Sequence, residues 1–352
     1  MRARRIYQLL LAGLILSLPL SSGGAWAAPF PPAQRGTRWE AAPAKPGDTV
    51  VAALGSARRV PAGMRAERDC PEVSRFTACD AMPANIVLRD WSKLGGKVVG
   101  GVFFDITIGY RTESLSNRYR ALVHVKVTKA FGLTRGTVTT ITGSCRIPCA
   151  SSGSAAGPTA RPGDDWNGTL SFQDAVMKGE SHINVANIAI LPAHPVFERQ
   201  QGDSGPAAAE IRCDDSFKGK KPGCVVRRFF PTITEMAQLP AIAANIRSVQ
   251  RRGGVGVPGN LLKALTRTTD KSRIARNRGA VCGSAIVGPR PVGKECDEYP
   301  FASTLNGGTA TPEESRGWAW VPETEQRSQG AFLANFYTKN RVLDGDHFYV
   351  QV

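Results

Sequence analysis

Eight cysteines, at positions 70, 79, 145, 149, 213, 224, 282 and 296, constrain this chain more than any other feature. Their number is even, and all follow an N-terminal stretch that reads as an export signal. Arg2, Arg4 and Arg5 form a positive n-region, and Leu9 to Leu20 form an apolar h-region. Ala25-Trp26-Ala27 has the small-x-small form of a cleavage site. Residues 1–27 are therefore expected to be a signal peptide and the mature protein to be secreted. The apolar run is too short for a membrane span, and no later segment is long and apolar enough for one. An oxidising compartment turns an even set of cysteines into disulfides. Proximity pairs them as Cys70–Cys79, Cys145–Cys149, Cys213–Cys224 and Cys282–Cys296, out of about 105 connectivities. Zinc fits less well, because no histidine stands at ligand spacing from a cysteine pair.

The formal charge is +16. Removing the three signal arginines leaves the chain strongly basic, which favours nucleic acid or an anionic cell envelope as partner. Charge alone is equally compatible with simple solubility. The length suffices for two domains. Residues 28–79 are rich in Pro, Ala and Arg and read as a flexible leader. Residues 80–204 carry β-branched, alternating runs: Lys97–Tyr110, Tyr119–Val127, Thr137–Thr142 and His182–Leu191. That spacing predicts an antiparallel, sandwich-like domain, with Ser151–Asp165 as an exposed loop. Over 205–352 the texture predicts a small α+β module. Its helices are expected at Ala237–Arg252, Leu261–Asn277 and around Gly330–Tyr337. Its strands are expected at Gly317–Val321 and Asp346–Val350, and its core at Trp318, Trp320 and Phe332.

Three apparent motifs carry little. Gly202-Asp203-Ser204-Gly205-Pro206 has the form of a peptidase nucleophile loop, but His124, His182 and His194 offer no matching base. A turn between domains explains it better. Gly254-Val255-Gly256-Val257-Pro258-Gly259 lacks the strand before it and the helix opening within it that a dinucleotide site needs. Asn167-Gly168-Thr169 is a sequon by form only.

The C-terminal series is more specific. Arg212-Cys213-Asp214 and Gly223-Cys224-Val225 begin it. Thr269-Asp270-Lys271-Ser272 and Arg276-Asn277-Arg278 follow, and then Cys296-Asp297-Glu298-Tyr299-Pro300-Phe301-Ala302-Ser303. Gln329-Gly330, Asn335-Phe336-Tyr337, Arg341-Val342 and Asp344-Gly345-Asp346-His347-Phe348 complete it. In order and spacing it resembles the NucA/NucB family of secreted bacterial deoxyribonucleases, over roughly residues 210–352. The resemblance implies a metal-dependent endonuclease with a ββα-metal-like site, in which an aspartate takes the base role of a histidine. It implies DNA as substrate, with RNA left open. No family resemblance accompanies the β-rich region.

The chemistry points the same way. Phosphodiester hydrolysis needs an activated water and charge stabilisation at the phosphate. Asp297 is the candidate base. Glu298 is adjacent, so the two carboxylates face opposite ways unless the strand ends or bulges near Pro300. Glu298 is therefore placed either at the catalytic metal or behind it. Asn335 is a candidate metal ligand through its amide oxygen, together with Glu298 and Glu325; such hard donors suit Mg2+ or Mn2+. Glu325-Gln326 stands where an Asp-Asn pair is expected. Lys271, Arg273 and Arg278 are candidates for gripping phosphates, and Arg276 for stabilising the transition state. The bland alternative is a solvated basic helix. His347 is expected to be structural. A second class of function fits the same basic surface: a non-catalytic secreted protein that holds extracellular DNA or cell envelope.

Overall fold

The computed structural model describes residues 48–59, 70, 72–92, 96–146 and 148–352. The expected signal segment and much of the expected leader lie outside the described residues. The described chain is mostly β, with few helices and a small C-terminal region that carries most of them.

The β-rich part runs β1 (Thr49–Leu54), β2 (Arg58–Arg59), β3 (Thr77–Asp90), β4 (Lys97–Glu113), β5 (Ser116–Gly132), β6 (Val138–Ser144) and β7 (Cys149–Ser152). It continues through β8 (Ser154–Pro158), β9 (Asp165–Asp174), β10 (Ser181–Ala193), β11 (Arg199–Gln201), β12 (Asp203–Asp214) and β13 (Gly223–Val226). One sheet has the order β11-β1-β3-β4-β5-β9-β7, with β2 on β3, and a second has the order β13-β12-β10-β6-β8. Alternation makes the core. Ile86, Phe104, Ile106, Val123 and Leu170 from the first sheet share one cluster with Ile141, Ile188, Ile190 and Ile211 from the second. The four cysteine pairs expected from proximity are the four disulfides.

Several boundaries differ from expectation. β1 falls inside the segment read as leader, because Val50 and Ala52 alternate into the core despite the surrounding Pro/Ala/Arg composition. The expected loop Ser151–Asp165 contains the end of β7 and all of β8, whose small residues give almost no apolar alternation. The boundary expected at 205 falls within β12, whose Ala207, Ala209 and Ile211 point into the sandwich. Cys213 and Cys224 then sit directly opposite one another on β12 and β13. Gly202-Asp203-Ser204-Gly205-Pro206 therefore leads into and opens a strand and is no interdomain turn.

The C-terminal region runs β14 (Thr232–Ile233), α1 (Pro240–Arg251), β15 (Leu265–Thr266), α2 (Lys271–Cys282), α3 (Ser284–Val287), β16 (Lys294–Tyr299), β17 (Gly317–Pro322), α4 (Glu323–Lys339) and β18 (His347–Val350). β16 and β17 pair antiparallel, and β18 lies between β14 and β15. The single helix expected at Leu261–Asn277 is divided. Leu265 and Thr266 pair with β18, and α2 starts only at Lys271, capped by Asp270, whose side chain accepts from the backbone N–H groups of Ser272 and Arg273. Ile233, Ile246, Val249, Leu265, Tyr299, Val321, Phe336 and Phe348 build a second core. Phe332 packs against it. Trp318, expected in that core, is 39% exposed.

A buried ionic network joins the sandwich to this region. Arg75 and Arg212 from the sandwich both reach Asp346, at 3.0 and 2.6 Å. In the reverse direction, Arg341 places its guanidinium on Asp214, with Nε 2.9 Å from Oδ2. Arg341 also donates to the backbone oxygens of Ser114 (2.7 Å) and Lys221 (3.2 Å). Burial, reinforced by the neighbouring Arg212 charge, pushes the Arg75 guanidinium down to about 10, so it stays charged at neutral pH. Arg341 adopts φ 47°, a left-handed backbone usually left to glycine at a helix end. Gly223 makes room for it: a Cβ there would stand 2.1 Å from Ser114 O and 2.9 Å from an Arg341 nitrogen.

Arg341→Ala should therefore destabilise the protein by about 3 kcal/mol, because the buried Asp214 loses its two-point partner and keeps Arg212, at 3.6 Å, as its counter-charge. Chemical denaturation measures this; a loss below about 0.5 kcal/mol would mean that the network contributes nothing net.

Candidate active site

α4 forms one wall of a cleft of ≈ 450 Å³ with Gln326, Gln329, Gly330, Leu333, Ala334 and Tyr337; Arg267, Arg278 and Ser303 face it. The α4 residues recur at three- and four-residue spacing, so they form one helical face. β16 runs behind this cleft, and its two carboxylates reach lining side chains: Asp297 bonds to Gln329, and Glu298 pairs with Arg278.

Asp297 is 1% exposed. Gln329 Nε2 donates to its Oδ1 at 2.6 Å, and Asn245 Nδ2, from α1, donates to its Oδ2 at 2.9 Å. Burial pushes this carboxyl up to about 7, against the two amide donors, which favour the ionised form. Gln329 lines the cleft, so Asp297 stands one side chain behind its wall. Glu298 is 4% exposed and faces α2. Its Oε1 lies 3.5 Å from Arg278 Nε and accepts from the Ala302 backbone N–H at 3.3 Å. Burial raises it as well, while Arg278 opposes that rise. The adjacent carboxylates thus serve opposite faces of β16. The strand shows no bulge; its register with β17 is continuous from Lys294 to Tyr299.

The structure brings Arg278 to the cleft, sets Asp297 and Glu298 one side chain behind it, and leaves other expected residues away from it. Asn335 is exposed, about 160° around α4 from Leu333 and Tyr337 at about 100° per residue. Glu325 caps α1 instead: its Oε2 accepts from the backbone N–H groups of Ala241 (3.0 Å) and Ile242 (3.1 Å), where a helix N-terminus favours a carboxylate. Arg276 points about 160° away from Arg278 on α2. Lys271 lies near the Arg278 side of the helix, and Arg273 is half-buried on another. The basic run is therefore not one face. His347, as expected, has structural contacts, bonding to Thr266 and packing on Phe230.

Sequence reasoning missed Asn245, Arg267, Ser303, Gln329 and Tyr337 as site residues. Arg267 stacks its guanidinium 4.3 Å from the Tyr337 ring centroid and donates to Val342 O. Gln329 carries a signal: Gln329-Gly330 belongs to the C-terminal series and stands one helical turn after Glu325. Asn245 had none, because it lies in an ordinary amphipathic helix, between Ile242 and Val249 on its buried side.

Among the described residues, no three His, Cys, Asp or Glu side chains converge as a metal cage. The cleft does offer hard oxygen. Gln326 Oε1 is buried without a hydrogen-bond partner, Ser303 contributes its hydroxyl, and Glu298 lies just behind Arg278. Such donors fit a magnesium-type ion that keeps several waters and takes further oxygens from a phosphate. They do not fit the set Asn335, Glu298 and Glu325.

No curated protein and no solved structure matches the chain. The segment from Arg212 to Cys224, counted in the expected resemblance, belongs to the sandwich and lies outside the family match. Residues 259–351, which carry every residue lining the cleft together with both buried carboxylates, match the family model Deoxyribonuclease NucA/NucB.

Proposed function

We propose that the protein is a secreted, metal-dependent endonuclease that hydrolyses DNA phosphodiesters with little sequence preference, and that Asp297 is its general base. The family match supports a DNA nuclease. The observation that carries the finer reading is the Asp297 carboxyl, held by Gln329 at the cleft wall and raised to about 7 by burial. A base poised near the working pH is half ready to accept a proton and strong enough to take it. The basic charge supports a polyanionic substrate, and the four disulfides support an exported protein.

In this reading Arg267 and Arg278 hold the substrate phosphate from the wall opposite α4. Both read the backbone and no base edge, so sequence preference is weak. Asp297 Oδ1 keeps its bond to Gln329 and uses its second lone pair to accept a proton from the attacking water. The water oxygen bonds to phosphorus as the ester P–O bond breaks, and the departing oxygen takes up a proton. Glu298 and Gln326 would hold the divalent ion, Mg2+ or Mn2+. When bound, that ion supplies Lewis-acid charge stabilisation and lowers the pKa of water. The strand–strand–helix succession of β16, β17 and α4 supports a ββα-metal-like reading.

Plasmid DNA incubated with the protein and Mg2+ or Mn2+ should be cut, and EDTA should stop the cutting. Asp297→Asn should lower kcat/KM by about 10²–10⁴-fold. Salt-sensitive DNA retention without cleavage across a panel of divalent cations would instead support the non-catalytic binding protein.

The same substitution has a stability signature in metal-free buffer. A carboxyl raised from 3.8 to about 7 binds more protons folded than unfolded between those values. Wild-type stability should therefore fall as pH rises from about 4 to about 7. Asp297→Asn should make that slope shallower, leaving the parts due to Asp80, raised to about 6, and to Glu298, and should melt higher than wild type at pH 8 while melting similarly at pH 4. Parallel pH profiles for the two proteins in thermal melts would refute the assigned shift.

A further inference from the structure

The outer face of the β4–β5 sheet treats charge differently at its two ends. At one end Lys126 on β5 stands opposite Asp105 of β4 on one side and Asp165 of β9 on the other. His124 adds a bond to Asp165 at 2.7 Å. At the other end, Arg111 of β4 stands directly opposite Arg120 of β5, and Ser171 is the next residue across. Arg118, two positions along β5 on the same face, stands opposite Gln173 and donates to its Oε1 at 3.1 Å. All three arginines are exposed. Glu113 lies two positions from Arg111, but among the described residues none of the three arginines has an ion-pair partner.

Like charges directly opposite one another destabilise a strand pair, since their Cβ atoms stand about 4.5–5.5 Å apart. An external polyanion reverses that sign. The location suits such a partner. The hairpin that joins β4 to β5 touches the C-terminal region, where Ser114 O accepts from Arg341 at 2.7 Å. Tyr337, one helical turn before Arg341, lines the cleft. The path from Arg111 to Ser114, across to Arg341 and back to Tyr337 is on the order of 25 Å, at about 3.3 Å per strand residue and 1.5 Å per helical residue. Duplex DNA covers that in roughly seven base pairs.

We infer that Arg111, Arg118 and Arg120 form a second phosphate-binding row, on the sandwich and outside the cleft, which grips the same DNA duplex. The inference rests on the DNA reading of the cleft. It gives the β-rich part a role as a substrate-holding surface fixed to the nuclease.

The test is equilibrium binding of the full chain, in EDTA to prevent turnover, to duplexes of about 30 and about 6 base pairs across a salt series. The triple variant Arg111→Ser, Arg118→Ser, Arg120→Ser should lose about two to three from the slope of log K against log salt on the longer duplex. The shorter duplex should bind as before. Replacing all three by lysine should keep the slope, because counterion release counts charges. Thermal melting checks that the serine variant folds. If it does not, Arg120→Ser alone, losing about one from the slope, decides the matter. An unchanged slope in a folded variant overturns the row. So does loss of binding to phosphatidylserine vesicles with DNA binding intact, which would assign the row to a membrane. A wild type that shows the expected slope difference and cuts no DNA keeps the row and rejects the nuclease reading.

Discussion

Three buried arginines, the buried Asp214 and the half-buried Asp346 hold the two parts of this protein in one arrangement. Arg75 and Arg212 cross to Asp346, and Arg341 crosses back to Asp214. A buried ion pair gains little over well-packed apolar residues but costs much when one partner is removed. Its physical effect is therefore selective: other dockings of the same two surfaces leave charges without partners. Arg341 sits at the end of α4 with a left-handed backbone, and Gly223 leaves space beside it. The helix that lines the cleft is thereby anchored at its last turn by the sandwich.

The site has the opposite economy. Asp297 and Glu298 are adjacent carboxylates on a strand, so alternation sends them to opposite faces. Each is buried and each is raised by that burial. Two amides, Asn245 and Gln329, hold Asp297, whereas an arginine stands by Glu298. An amide orients a carboxylate without supplying a full charge, and this lets burial keep the Asp297 carboxyl near neutrality. The environment therefore separates the two groups: one is held at about 7 between two amides, and the other lies beside the Arg278 guanidinium.

Much of this was legible in the amino-acid order, and the misses have physical causes. β4, β5, β6 and β10 showed because alternation between core and solvent is strong along them. The disulfide pairs showed because each bridge closes a short loop. β1 and β12 were obscured by proline, alanine and arginine around them, and β7 and β8 by small side chains. At the site, Asp297, Glu298 and Arg278 were legible from the acidic–aromatic–proline block and the basic helix. Asn335 and Glu325 misled because residue type says what a side chain can ligate and nothing about which way a helix turns it. Glu325 serves the first turn of α1, a contact across 84 positions that spacing does not reveal.

The bridge between Cys282 and Cys296 ties the end of α2 to the residue immediately before Asp297, over a separation of 14. Closing a loop of that size restricts the unfolded chain by about 3 kcal/mol. Assembly of the strand that carries Asp297 against α2 is thus coupled to thiol chemistry. A chain that has met no oxidant lacks this tether and must dock β16 on α2 without its help.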